Sequence, residues 1–224
     1  MPNRHRRENS HVSTAEARIA IVYYSSTGNV HRLAQAFADG AADAGAEVRL
    51  RRVDELAPDA AIDSNPDWRA HLDATAHIKP ASLDDLLWAN GYAFGTPTRY
   101  GNVSSQLRQF LDTTGGLWQA GKLANKPATG FTSSHFAHGG QESTLLSLYN
   151  TLCHWGAIVL PTGYVDYEVA AAAGGNPYGV SCVEEQADDD DYLKAVLEAA
   201  RHQGGRLAET ATVLSSLTNR PAAA

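Results

Sequence analysis

The chain has 224 residues, 43% of them hydrophobic, enough for one sizeable core and short of what two full domains need. A formal net charge of −7 and a pI near 5.7 argue against a nucleic-acid or anionic-membrane surface as the main partner. No apolar run approaches the ~20 residues of a membrane span, the polar start lacks the apolar centre of a secretory signal, and Cys153 and Cys182 read as reduced thiols of a cytoplasmic protein.

Residues 1–17 carry three arginines and almost no large apolar side chains, so they are expected to form a flexible tail ahead of one domain at 18–218, with 219–224 as a C-terminal tail. Arg18 to Tyr24 is a short β-branched and aromatic run, which suits a buried parallel strand. Leu33, Phe37 and Ala41 then recur at helical spacing, Gly45 closes that helix, and Glu47 to Val53 reads as a second strand. Asp54 to Ser82 has three prolines and little periodicity, and is either a long loop or an insertion with a helical turn near Trp68 to Leu72. Helix two covers Leu83 to Ala89, and strand three Tyr92 to Phe94. Val103, Leu107, Phe110, Leu111 and Thr114 mark helix three, and Lys126 to Thr132 strand four. Leu145 to Leu152 gives helix four, Ala157 to Leu160 strand five, and Leu193 to Leu214 the last helix. Five β-α repeats predict an α/β sandwich with a parallel sheet of order 2-1-3-4-5 covered by helices on both faces, and ligands beyond the carboxyl ends of strands one, three and four.

Three loops fall at those strand ends. Ser25, Ser26, Thr27, Gly28, Asn29 and Val30 place hydroxyls and a glycine at a helix start, which suits a phosphate monoester; a Ser or Thr capping that helix is the plain alternative. The three-glycine dinucleotide fingerprint and the lysine-bearing P-loop are both missing here. Pro97, Thr98, Arg99, Tyr100, Gly101 and Asn102 form a rigid turn between glycines, open to a flat ligand. The third loop runs from Thr132 through Ser133, Ser134, His135, His138, Gly139 and Gly140 to Glu142. Its histidines lack a carboxylate or cysteine at ligand spacing, so no metal is expected.

Tyr23-Tyr24-Ser25, Gly95 to Asn102, Phe110-Leu111-Asp112, Thr114 to Trp118, Gly139-Gly140-Gln141-Glu142 and Gly175 to Gly179 together resemble the WrbA-type NAD(P)H:quinone oxidoreductases, over about Arg18 to Leu217. The resemblance implies a flavodoxin-like homotetramer that binds FMN, takes electrons from NADH or NADPH, and reduces a quinone by two electrons in a ping-pong cycle. It places the FMN phosphate at Ser25 to Val30 and the isoalloxazine along Pro97, Thr98, Arg99, Tyr100, Gly101 and Asn102. Ser133, Ser134, His138, Gly139 and Gly140 come at the ring's far edge. Trp118 would wall the substrate pocket where subunits meet, and Thr27 stands near the nicotinamide, where the family often has an aromatic residue. Paired histidines of the family appear here as His154-Trp155, so Trp155 is expected to close the pocket as an indole. Asp59 to His77 is longer than usual. Two other readings stay open: a flavodoxin-type electron carrier, which Ser26-Thr27-Gly28-Asn29 resembles, and a regulatory or scaffold protein that retains the fold.

Overall fold

The computed structural model describes residues 16–218; of the expected tails at 1–17 and 219–224, all but Glu16 and Ala17 lie outside the described residues. Ala17 is already buried, and its carbonyl accepts from the Glu47 amide at 2.9 Å. β1 (Arg18–Tyr23) pairs in parallel with β2 (Glu47–Arg52) on one side and β3 (Gly91–Pro97) on the other, and β4 (Pro127–Ser134) follows β3. Every residue of β3 and β4 is buried, as are all but the first of β1, because helices cover both faces of the central strands. Edge strand β2 is instead rich in arginine and half-buried, which discourages pairing with another chain.

The strand order is 2-1-3-4-5, as expected, with one addition. The fifth lane is shared by two short segments. β5 (Ile158–Val159) pairs with Pro127 and Ala128 at the start of β4, and β6 (Val180–Val183) pairs with Phe131 to Ser134 at its end. Between them the chain makes an excursion through α8 (Tyr167–Ala172). Sequence reading sees only the first of these two segments.

Alternation along β1 divides the core. Ile19, Ile21 and Tyr23 face α1 (Asn29–Asp43) and the C-terminal helix α9 (Asp190–Thr218). Ala20, Val22 and Tyr24 face the opposite layer, built from α4 (Leu83–Trp88), α5 (Ser105–Asp112) and α7 (Gln141–Trp155). Phe37 of α1 stacks on Phe131 of β4 with ring centroids 4.6 Å apart, both fully buried; each such side chain contributes roughly 1.5–3 kcal/mol of transfer free energy. α1 and α9 cross backbone to backbone: a Cβ on Gly40 would lie 1.9 Å from the Arg201 carbonyl oxygen, and one on Gly204 2.2 Å from that of Phe37. No larger residue fits at either position.

The long segment after β2 holds two helices, α2 (Asp59–Asp63) and α3 (Pro66–Ala74). Asn65 caps α3 by accepting from the Asp67 and Trp68 amides, and Pro66 occupies the first turn where no amide is needed. The expected third helix is likewise two, α5 and a short α6 (Gly115–Gln119), with Gly115 and Gly116 at the start of the second.

Candidate functional site

The carboxyl ends of β1, β3 and β4 open into a cleft of about 390 Å³. Its first wall is the turn from Ser25 to Gly28. Gly28 takes a left-handed φ of +106° as the residue preceding α1, and its amide donates to Ser25 Oγ at 3.1 Å. No side chain caps α1, and its first turn carries no acidic residue. The serine and threonine hydroxyls therefore do not close the helix, and its amides and positive dipole end are left for an external anion.

The second wall follows β3. Thr98 is tied to β4 by its amide, which donates to the Ser133 carbonyl at 2.8 Å. Arg99 and Asn102 exchange backbone hydrogen bonds of 2.9 and 3.0 Å, closing a turn in which Tyr100 has φ +52° and Gly101 φ +75°. A tyrosine in that region costs on the order of 1–2 kcal/mol, and the Arg99–Asn102 hydrogen bonds that impose it hold its fully exposed ring at the cleft rim. The Thr98 hydroxyl accepts from the Gly101 amide at 3.1 Å and lies 2.7 Å from that of Thr144, locking the turn onto α7. Arg99 Nη2 reaches Ser26 Oγ at 3.4 Å, joining the first two walls.

The third wall is Ser133 to Phe136 with Gly139. Ser134 Oγ and Gln141 Nε2 both donate to the Phe136 carbonyl, at 2.7 and 3.2 Å, and so hold the loop while the Phe136 ring stays exposed over the cleft. His135 Nδ1 sits 3.1 Å from Glu184 Oε2, which brings the segment after β6 to the same rim. The cleft thus has a helix N-terminus at one end and an exposed aromatic ring on either side.

Behind these walls Glu55 is a hub. It accepts from Tyr24 Oη at 2.7 Å, Trp68 Nε1 at 2.9 Å, Gln106 Nε2 at 2.7 Å and the Leu56 and Ala57 amides. Burial by itself would raise its carboxyl pKa, but the donors, Tyr24, Ala57, Gln106 and Trp68 among them, outweigh that and hold it below the usual range. One carboxylate fastens the inserted α3 to β1 and α5.

Of the expected cofactor residues, Ser25, Ser26, Thr27, Asn29, Val30, Pro97, Thr98, Arg99, Tyr100, Ser133, Ser134 and Gly139 line the cleft. Gly28, Gly101 and Gly140 shape its backbone: a Cβ on Gly140 would come within 2.9 Å of the Gly101 Cα. Asn102 closes the Tyr100 turn, and His138 is exposed beside the lining. Trp155 does not line the cleft of its own chain. It is buried edge-on against Tyr92 and Phe94, at 5.7–6.2 Å, because α7 runs antiparallel to the strands and ends at their amino side. Trp118 is at that same far end, half-exposed, its indole N–H donating to the His154 carbonyl at 2.7 Å. Sequence reasoning did not single out Phe136 or Glu184, both of which line the cleft. Phe136 was legible as an aromatic in a polar loop, whereas Glu184 depends on recognising β6.

Fold and cleft together define a flavodoxin-like, flavin-binding type of protein. The family model described as NADPH-dependent FMN reductase matches residues 17–171. A protein of Deinococcus radiodurans named NAD(P)H dehydrogenase (quinone) is 46% identical over 196 residues, spanning 88% of this chain and 96% of that one. A protein of the same name from Paracoccus denitrificans is 39% identical over 210 residues, spanning 92% and 99%. The crystal structure of a WrbA-like flavodoxin from Agrobacterium tumefaciens superposes with a TM-score of 0.62 at 25% identity, covering 89% of this chain and 99% of that one. The chain belongs to the NADPH-dependent FMN reductase family.

Proposed function

We propose that this protein is an FMN-dependent NAD(P)H:quinone oxidoreductase that reduces quinones to hydroquinones by two electrons. The observation that carries the reading is the uncapped N-terminus of α1 at the floor of a cleft with aromatic sides. The residues present fit a flavin mononucleotide. Ser25, Ser26 and the first-turn amides of α1 suit its phosphate, Thr98 to Tyr100 and Phe136 suit a flat ring, and Gly101 and Gly140 let the two ring-side loops approach closely. FMN, when bound, supplies the exchange of a hydride from NAD(P)H for two electrons delivered to a quinone. The chain's own residues bind and orient. Arg99 presents a cation at the mouth, and the strained Tyr100 turn holds one face of the slot. No side chain is required as a nucleophile.

The protein is further read as a cytoplasmic homotetramer. No helix among the described residues is long and apolar enough to cross a membrane. Trp118 lies at the wrong end of the sheet for its own cleft, so a pocket role for it requires a second copy. Exposed Tyr164, Val165 and Tyr167 offer apolar surface for such a contact. Initial rates with NADH or NADPH against a benzoquinone, both concentrations varied, test the activity. Parallel double-reciprocal lines support one shared pocket, and converging lines refute it. Sedimentation of the FMN-loaded protein as a monomer would refute the assembly.

A further inference from the structure

The inserted helix α3 sends one side chain toward the phosphate end of the cleft. His71 Nδ1 lies 3.5 Å from where a Cβ on Gly28 would stand, and its ring is 5.4 Å from that of His31, which is on the first turn of α1. His31 Nδ1 is in turn 2.6 Å from Tyr23 Oη. Burial keeps that phenol protonated, so it donates to His31 and leaves the hydrogen of the neutral ring on Nε2. We propose that His71 is a positioning residue for the FMN phosphate: with His31 it takes up a proton as the phosphate docks on α1, so that FMN binding is proton-coupled. This rests on the FMN reading of the cleft.

The two rings are neutral before the ligand arrives. Burial, then the neighbouring His71 and His77, push His31 down to about 4, and burial pushes His71 down as well. The positive end of α1 acts in the same direction. The other groups around the pair are few. Tyr23 comes from β1, and Arg52 of β2 and Glu55 share a small cavity with His71, about 20 Å³, too small for a ligand. Thr75 Oγ1 donates to the His71 carbonyl, and His77 is engaged with the Ala74 carbonyl. Arg32 of α1 is directed to Asn29. Glu55 is saturated by its own donors, and Arg52 is engaged with the Ile78 carbonyl and Asp54. A phosphate dianion at Ser25 to Val30 is then the group able to reverse the balance, and it favours the protonated imidazole.

The sign follows from linkage. A group that binds a proton more tightly in the complex makes affinity fall as pH rises from its free-state to its bound-state pKa. Ionisation of the phosphate itself, near pH ~6, opposes this only at the acid end. The experiment titrates the FMN-free protein with FMN from pH 6.5 to 8.5 by flavin fluorescence, and calorimetrically in buffers of different ionisation enthalpy, which counts protons. The wild type is expected to take up a substantial fraction of a proton at pH 7, and to bind about three- to tenfold more weakly at pH 8.5 than at 6.5. His71→Gln should flatten that slope and lower the proton count. His71→Lys, with a fixed charge, should keep tight binding at pH 8.5. A wild type that binds FMN without proton uptake overturns the proposal, whether or not the variants fold. So does His71→Gln with an unchanged slope and count. A wild type that binds no FMN at any pH overturns the flavin reading itself, and the proposal with it.

Discussion

Replacing Gly28 by alanine separates the anion-binding role of the first turn from its role in folding. Gly28 sits at φ +106°, where an L-residue costs about 1–2 kcal/mol. The added Cβ would lie 3.5 Å from His71 Nδ1, an ordinary contact, so the backbone supplies the whole cost. Gly45, just past the other end of the same helix, is the matched control: its φ is +85° and a Cβ there meets nothing within 4 Å. Gly45→Ala should therefore lose about 1–2 kcal/mol, a fall of roughly 2–4 °C in Tm per kcal/mol for a domain of this size, and Gly28→Ala less than that without FMN, because its turn is free to relax. They differ toward the ligand. In Gly28→Ala the turn relaxes away from the geometry that aims the α1 amides, and FMN must restore it, so the Kd rises about 5- to 30-fold. Gly45→Ala should bind FMN as the wild type does. Thermal melts without FMN and fluorescence titrations with it give both numbers. Equal FMN affinity in the two variants would refute the assignment of the phosphate to α1.

Trp155→Ala should cost about 3–5 kcal/mol in urea unfolding, since the indole is packed on Tyr92 and Phe94. Trp155→Phe should keep the quinone KM within about twofold, a conservative aromatic exchange in a core; a much larger change would mean that the residue faces a pocket in the assembled enzyme. Glu55→Ala strands the donors of Tyr24, Trp68 and Gln106 and should cost about 2 kcal/mol or more. Because the folded pKa of Glu55 lies below its ordinary 4.5, its contribution is present above that value and is lost as pH falls through the folded pKa; Glu55→Gln should lack this loss in acid melts. Lys126, buried with its Nζ donating to the Leu86 carbonyl, has its pKa pushed down to about 8, chiefly by burial and then by Arg18 and Lys122. The unfolded chain holds that proton up to about 10.5, so wild-type stability should gain a rising component between pH 8 and 10.5. Lys126→Met should remove it, and the Leu86 carbonyl keeps the Tyr92 hydroxyl as its donor.

What was legible in the sequence was what periodicity and loop chemistry report directly. The buried runs at Ile19 to Tyr24 and Tyr92 to Phe94 can only be central parallel strands, and the loops after them then have to lie together. That brings Ser25 to Val30 next to Thr98 to Tyr100 without any contact being known. β6 was not legible because Val180 to Val183 is four residues long, follows a glycine-rich stretch, and is a strand only because the upper half of β4 has a free edge. Glu184 was lost with it. Trp155 is remote from its own chain's cleft for a geometric reason. It belongs to a helix that begins at the cleft, but fourteen residues at 1.5 Å each carry it about 20 Å away, to the far end of the sheet. His71 sits in a segment whose helices depend on the Asn65 cap and on the Glu55 hub, so its approach to Gly28 follows from tertiary contacts alone.

Quinone reduction through a bound flavin is tested most directly by the visible spectrum of the FMN-loaded protein under anaerobic conditions, recorded before and after one equivalent of NADH or NADPH and again after benzoquinone. The flavin bands should bleach in one two-electron step with at least one of the two donors and return in full on addition of the quinone. Bands that neither donor bleaches, or bleached bands that benzoquinone leaves unchanged, would contradict that reaction.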